Sequence, residues 1–122
     1  MKYESTRGKA PVLEFGDVLL AGLAADGGLY VPTKFPRLTS ADLRSFEEMS
    51  YSDVATRVLT PFVSPSTGED DLAAMIEESY RTFRHPEVVP VQRIHGFQPL
   101  AGESYRSGYL VELHWGPTFS FK

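Results

Sequence analysis

The sequence predicts a mixed α+β/α/β fold class: a mostly helical N-terminal domain with short strands, running into the first strand of a further body. Capped segments of helical period fill the middle of the chain, from residue 39 to residue 83. The strand signals, at residues 3–6, 29–31 and 108–114, are short and far apart. A length of 122 residues, 42% of them apolar, with eight Phe and six Tyr, supplies one core and not comfortably two.

Residues 3–6 read as an extended segment, followed by a flexible stretch with Gly8 and Pro11. A helix is expected over residues 14–25, where Phe15, Val18, Leu19, Gly22 and Leu23 fall on one face. Asp26-Gly27-Gly28 is expected to stop it, since glycine enters left-handed backbone without steric cost. Leu29, Tyr30 and Val31 then form a short strand closed by Pro32. Thr39-x-x-Asp42 has the form of a helix cap ahead of Leu43 and Phe46. Ser50-x-x-Asp53 repeats it before Val54, Ala55, Val58, Leu59 and Phe62. Pro61 lacks an N–H and is expected to end or kink that helix in its last turn. Residues 64–68 form a loop by composition.

The clearest helix follows over residues 69–83, with Leu72, Met75, Ile76, Tyr80 and Phe83 on one side and Glu77, Glu78 and Arg81 on the other. Glu69, Asp70 and Asp71 suit its N-terminal end, where negative charge is favourable. Residues 88–94, with Pro90 inside, are at best an edge or interrupted strand. The best strand is 108–114, which leads into the loop Trp115-Gly116-Pro117-Thr118. Residues 118–122 read as the first turn of a helix whose body is missing, so the chain is expected to be truncated. The expected domains are therefore 1–107 and, as an opening strand and loop only, 108–122.

Composition excludes several functions. With a net charge of −4 and no two basic residues adjacent, the chain lacks the clustered cations of a nucleic-acid binder. It has no Cys, hence no disulfide or thiolate metal site, and His85, His95 and His114 lack metal-ligand spacing. No apolar run approaches the roughly 20 residues that span a bilayer, and the N-terminus lacks a signal-peptide core. The expectation is a soluble cytoplasmic protein with no metal, no nucleic-acid partner and no membrane contact.

Two segments carry a family resemblance. Tyr3-Glu4-Ser5-Thr6-Arg7-Gly8, followed by Leu23-Ala24-Ala25-Asp26-Gly27-Gly28-Leu29-Tyr30-Val31-Pro32, resembles the N-terminal signature of threonine synthases. Leu110-Val111-Glu112-Leu113-His114-Trp115-Gly116-Pro117-Thr118-Phe119-Ser120-Phe121-Lys122 is similar to the strand and loop leading to that family's cofactor lysine. The family form is Glu-Leu-Phe-His-Gly-Pro-Thr, two variable residues, Phe and Lys; here His114-Trp115 replaces Phe-His. The imidazole thus stands one residue earlier, on the opposite face if the strand continues.

The resemblance implies the start of a fold-type-II enzyme dependent on pyridoxal 5'-phosphate (PLP), converting O-phospho-L-homoserine and water into L-threonine and phosphate. It implies that Lys122 carries the cofactor covalently and, once displaced by the substrate amine, shuttles protons at the substrate carbons. A lysine amine suits both roles, because its pKa falls readily on desolvation. It also implies that the phosphate-cradling loop lies after the lysine, and nothing like that loop occurs in residues 1–122. Ser5-Thr6-Arg7 and Trp115 are further residues that could reach such a site. Two alternatives stand beside this reading: a related phospho-lyase acting on another amino-alcohol phosphate, and a non-catalytic helical interaction module.

Overall fold

Along β1, Lys2–Ser5, exposed and buried side chains alternate, which turns Tyr3 and Ser5 inward. In the computed structural model, which describes residues 1–97 and 106–118, β1 is the centre of a three-stranded antiparallel sheet. Its neighbours are β2, Leu13–Glu14, and β3, Tyr30–Pro32, with Tyr3 opposite both Leu13 and Pro32. The Tyr3 hydroxyl donates to the Phe62 carbonyl at 3.0 Å and its ring lies 6.2 Å from that of Phe15, tying the sheet to two helices.

The first helix, α1, is Phe15–Ala21, shorter than the expected 14–25. Gly22 ends it, taking φ 69 and closing its N–H onto the Val18 carbonyl. The Asp26-Gly27-Gly28 turn is therefore not the helix stop. Nor does the expected apolar face pack: Leu19 and Leu23 are 69% and 65% exposed, and only Phe15 and Val18 of that set are half-buried among the helical residues.

Both cap signals form. The Thr39 hydroxyl accepts from the Asp42 N–H while Asp42 accepts from the Thr39 N–H, a reciprocal box that starts α2, Ser40–Ser45. A 3-10 turn, Phe46–Glu48, follows. Ser50 caps α3, Tyr51–Val63, by accepting from the Asp53 N–H at 3.2 Å. Pro61 sits in the last turn of α3, and the helix ends two residues on. The buried residues of α3 are Thr56 and Val63, while Val54, Ala55, Val58 and Phe62 of the expected apolar set are half-buried and Leu59 is exposed. Thr56 tolerates burial because its hydroxyl donates to the Ser52 carbonyl of its own helix at 2.8 Å.

Helix α4 spans Glu69–Tyr80, three residues short of expectation. Its end tightens: Phe83 N–H bonds to the Tyr80 carbonyl at 3.0 Å and the Thr82 hydroxyl takes the Ser79 carbonyl at 2.8 Å. Leu72 and Ile76 are buried as expected, whereas Met75 is 59% exposed. At 100° per residue, Met75 sits well round the helix from the line joining Leu72 and Ile76.

The described chain forms two compact units, Met1–Glu77 and Glu78–Lys122, the division falling within α4. In the second, β4, Val91–Phe97, pairs antiparallel with β5, Arg106–Val111, placing Val91 opposite Val111 and Arg93 opposite Tyr109. Strand β4 starts at Val91 rather than at 88 for a local reason. Val88 is buried with φ 61, a left-handed conformation that breaks extended structure, and Pro90 has no N–H for a ladder. The same proline shortens β5 relative to the expected 108–114: past Val111 one contact remains, from the Glu112 N–H to the Pro90 carbonyl at 3.0 Å.

The burial pattern of α4 gives a direct test. Ile76→Ala is expected to cost on the order of 2–5 kcal/mol, and Met75→Ala within about 0.5 kcal/mol. Urea denaturation measures both, and comparable losses would place the buried face elsewhere.

Candidate functional site

In the first unit the two halves of the N-terminal signature fold against each other around Asp26. Its carboxylate accepts from the Ser5 hydroxyl at 2.7 Å and from the N–H groups of Lys9, Ala10 and Gly28 at 2.9, 3.0 and 3.0 Å. These donors hold the Asp26 pKa down at about 2, the Ser5 hydroxyl most strongly, against a smaller opposing effect of desolvation. Ser5 also accepts from the Arg7 N–H, and Thr6 exchanges bonds with Leu29 through its own N–H and hydroxyl. The Arg7 guanidinium donates to the Asp26 main-chain carbonyl at 3.1 Å.

This packing explains the double glycine. Gly27 has φ 76, and a Cβ on Gly28 would overlap the Ser5 hydroxyl and lie 3.1 Å from that of Thr6. The turn is not an anion cradle. Gly27 N–H is bonded to the Ala24 carbonyl and Gly28 N–H to Asp26 itself, so a phosphate there would meet a carboxylate instead of free amides.

In the second unit the loop after β5 is held from both sides. The Arg84 guanidinium donates to the carbonyls of His114 at 3.0 Å and Gly116 at 3.4 Å, while the Arg84 N–H donates to the Trp115 carbonyl at 3.0 Å. The Trp115 indole N–H donates to Glu112 at 2.7 Å, and the other oxygen of that carboxylate accepts from the Gln92 amide at 2.5 Å. The Trp115 ring lies 5.1 Å from His85 and 4.9 Å from His114.

Of the residues singled out from sequence, Lys122 lies outside the described residues, as do Phe119, Ser120 and Phe121. Trp115 packs beside the strand end through Glu112 and His85. His114 projects outward with 63% of its side chain exposed, 3.7 Å from Glu112. Ser5, Thr6 and Arg7 are brought together with Asp26, which sequence reasoning had treated as part of a helix stop. The signal for it was present: Asp two residues before a Gly favours a turn in which the side chain accepts from its own downstream N–H. Arg84 was missed altogether, because nothing local distinguishes an arginine that bonds a loop thirty residues on. Among the described residues no group of His, Asp and Glu could hold a metal ion, and no helix is long and apolar enough to cross a membrane.

Comparison with known proteins places this arrangement. A crystal structure described as PLP-bound threonine synthase from Brucella melitensis matches 99% of the chain at 46% identity with a TM-score of 0.81, using 24% of its own chain. Threonine synthase from yeast matches 98% of the chain at 30% identity, TM-score 0.83, using 23% of its own length. The architecture is thus that of the N-terminal region of a PLP-dependent enzyme fold. A family model described as threonine synthase N terminus matches residues 2–80, and the chain belongs to that family. Threonine synthase of Pseudomonas aeruginosa is 43% identical over 122 residues, all of this chain and 24% of that protein, so the chain spans about a quarter of such relatives.

The Asp26 cluster titrates in a defined window. Its folded-state pKa of about 2 lies below the ordinary 3.8, so the cluster's contribution to stability is present above pH 4 and is lost as pH falls toward 2. Asp26→Asn is expected to lower stability at neutral pH and to flatten its dependence between those values. Acid unfolding followed by circular dichroism measures this, and an unchanged acid profile in the variant would remove Asp26 from the role.

Proposed function

We propose that this chain is the N-terminal part of a PLP-dependent threonine synthase, acting on O-phospho-L-homoserine and water to give L-threonine and phosphate. One observation carries the reading: similarity to threonine synthases, one of them described as PLP-bound, extends over the whole chain, including the strand and loop that precede Lys122. In this reading residues 108–122 open the cofactor-binding domain, and Lys122 is the residue that holds the cofactor.

The residues present fit the cofactor's aldehyde and not its phosphate. Lys122 supplies a primary amine after Gly116-Pro117-Thr118, whereas the only double glycine, Gly27-Gly28, has its amides occupied. In this reading phosphate binding falls to the loop that the family resemblance implies after the lysine. Bound PLP supplies an electron sink for negative charge developing at substrate carbon. In this reading the Lys122 Nζ, a primary amine of a kind whose pKa falls readily on desolvation, takes and returns protons at those carbons. Gly116 and Pro117 set the exit of the backbone from the loop toward Lys122, the first by lacking a side chain and the second by fixing φ.

In the complete polypeptide, borohydride reduction followed by peptide mapping is expected to find the pyridoxyl group on Lys122. Lys122→Arg is expected to abolish turnover, since a guanidinium stays protonated. Threonine formation from O-phosphohomoserine tests the reaction. Phosphate release from a different amino-alcohol phosphate, with no threonine formed, would favour the related phospho-lyase instead.

A further inference from the structure

We infer that Arg84 is a positioning residue for the loop that leads to Lys122, acting by its hold on the backbone of residues 114–116. The inference rests on Lys122 being the cofactor lysine. Its physical basis is the way one residue takes the carbonyls of three consecutive loop residues, His114 and Gly116 through the guanidinium and Trp115 through the Arg84 N–H.

The loop needs such a hold. Strand β5 ends at Val111, and beyond it Pro90 can offer a carbonyl but no N–H, so sheet pairing stops at Glu112. From His114 onward the backbone is held by the Arg84 side chain and main-chain N–H in place of a strand partner. A guanidinium is a suitable donor, because one nitrogen, Nη2, carries two N–H groups that reach both carbonyls and its charge strengthens both bonds. Lysine carries its ammonium on a flexible stem without that planar orientation, so it holds the two carbonyls less rigidly.

Two further contacts confine the loop's remaining freedom. Glu112, with only 11% of its side chain exposed, is fixed by the Gln92 amide and in turn holds the Trp115 indole. The Phe83 ring faces Gly116, 3.5 Å from where a Cβ would stand, and is itself edge-on to Tyr80 at 5.1 Å. Arg84 follows directly on Phe83, so the tightened end of α4 supplies both the wall and the clamp. Lys122 is six residues beyond Gly116 in the sequence, so residues 114–116 lie on the stretch of chain that leads to it.

The test uses the complete polypeptide with Arg84→Ala and Arg84→Lys. Thermal melting, the cofactor absorption band, kcat and KM are read for each, and the labelled lysine is mapped in the wild type. In the Ala variant the absorption band is expected to shift and kcat to fall on the order of tenfold to a hundredfold, the scale of small misplacements of a reacting group. KM is expected to move by less than about threefold, since substrate binding is not the element removed. Millimolar guanidinium should restore part of kcat, and the Lys variant should recover only part of it.

A folded Ala variant with wild-type kcat and band would overturn the inference. So would a Lys variant equal to wild type, which decides the matter if the Ala variant does not fold. Loss of folded protein in both variants would make Arg84 purely structural and overturn it as well. A wild-type label on another lysine would fail the Lys122 reading itself, a result distinct from normal labelling with indifferent Arg84 variants.

Discussion

The Asp26 carboxylate is the constraint around which the first unit is arranged. Four donors from three separate stretches converge on it: the Ser5 hydroxyl at the end of β1, the N–H groups of Lys9 and Ala10, and that of Gly28 ahead of β3. Satisfying them fixes how the chain leaves β1 and how it re-enters the sheet at β3, and so fixes the register in which Ser5 faces Tyr30. It also removes freedom at Gly28, where any side chain would collide with Ser5. A charged group held by this many donors stays ionised far into acid, which keeps the arrangement intact across the ordinary pH range.

The second unit solves a different problem. Its two strands pair only as far as Val91 and Val111, because Pro90 and the left-handed Val88 end the ladder on one side. The backbone beyond must then find other partners or leave its carbonyls to water. Arg84 supplies them for residues 114–116, and the Glu112–Trp115 bond supplies the side-chain counterpart. The His114-Trp115 pair is accommodated there: the indole finds a carboxylate acceptor and a flat neighbour in His85, while His114 faces outward.

The threonine synthase N-terminal family model covers the first arrangement, and similarity to a threonine synthase extends over both. Both segments that carry the resemblance are cross-bonded through side chains to backbone. In the first, the paired parts of the signature are partners across one carboxylate. In the second, the Gly-Pro-Thr loop is held by an arginine that precedes it by about thirty residues. A signature of this kind records a contact as well as a chemistry.

The amino-acid sequence by itself determined what depends on neighbours along the chain. Thr39 with Asp42 and Ser50 with Asp53 start helices because a hydroxyl three residues ahead reaches the N–H it caps, and Leu72 with Ile76 share a face because they are one turn apart. The resemblance, too, was legible from contiguous residues. Only tertiary structure decided which apolar side chains are covered and which polar groups meet across distance. Periodicity defines a face but not what lies against it, so Met75 and Leu19 stay exposed while Thr56 is buried. Helix ends moved for the same reason: α1 stops at Gly22, and the Asp-Gly-Gly turn expected to stop it is engaged with Ser5 and the backbone at Lys9 and Ala10. Asp26 and Arg84 became structural centres through partners that no window of sequence contains.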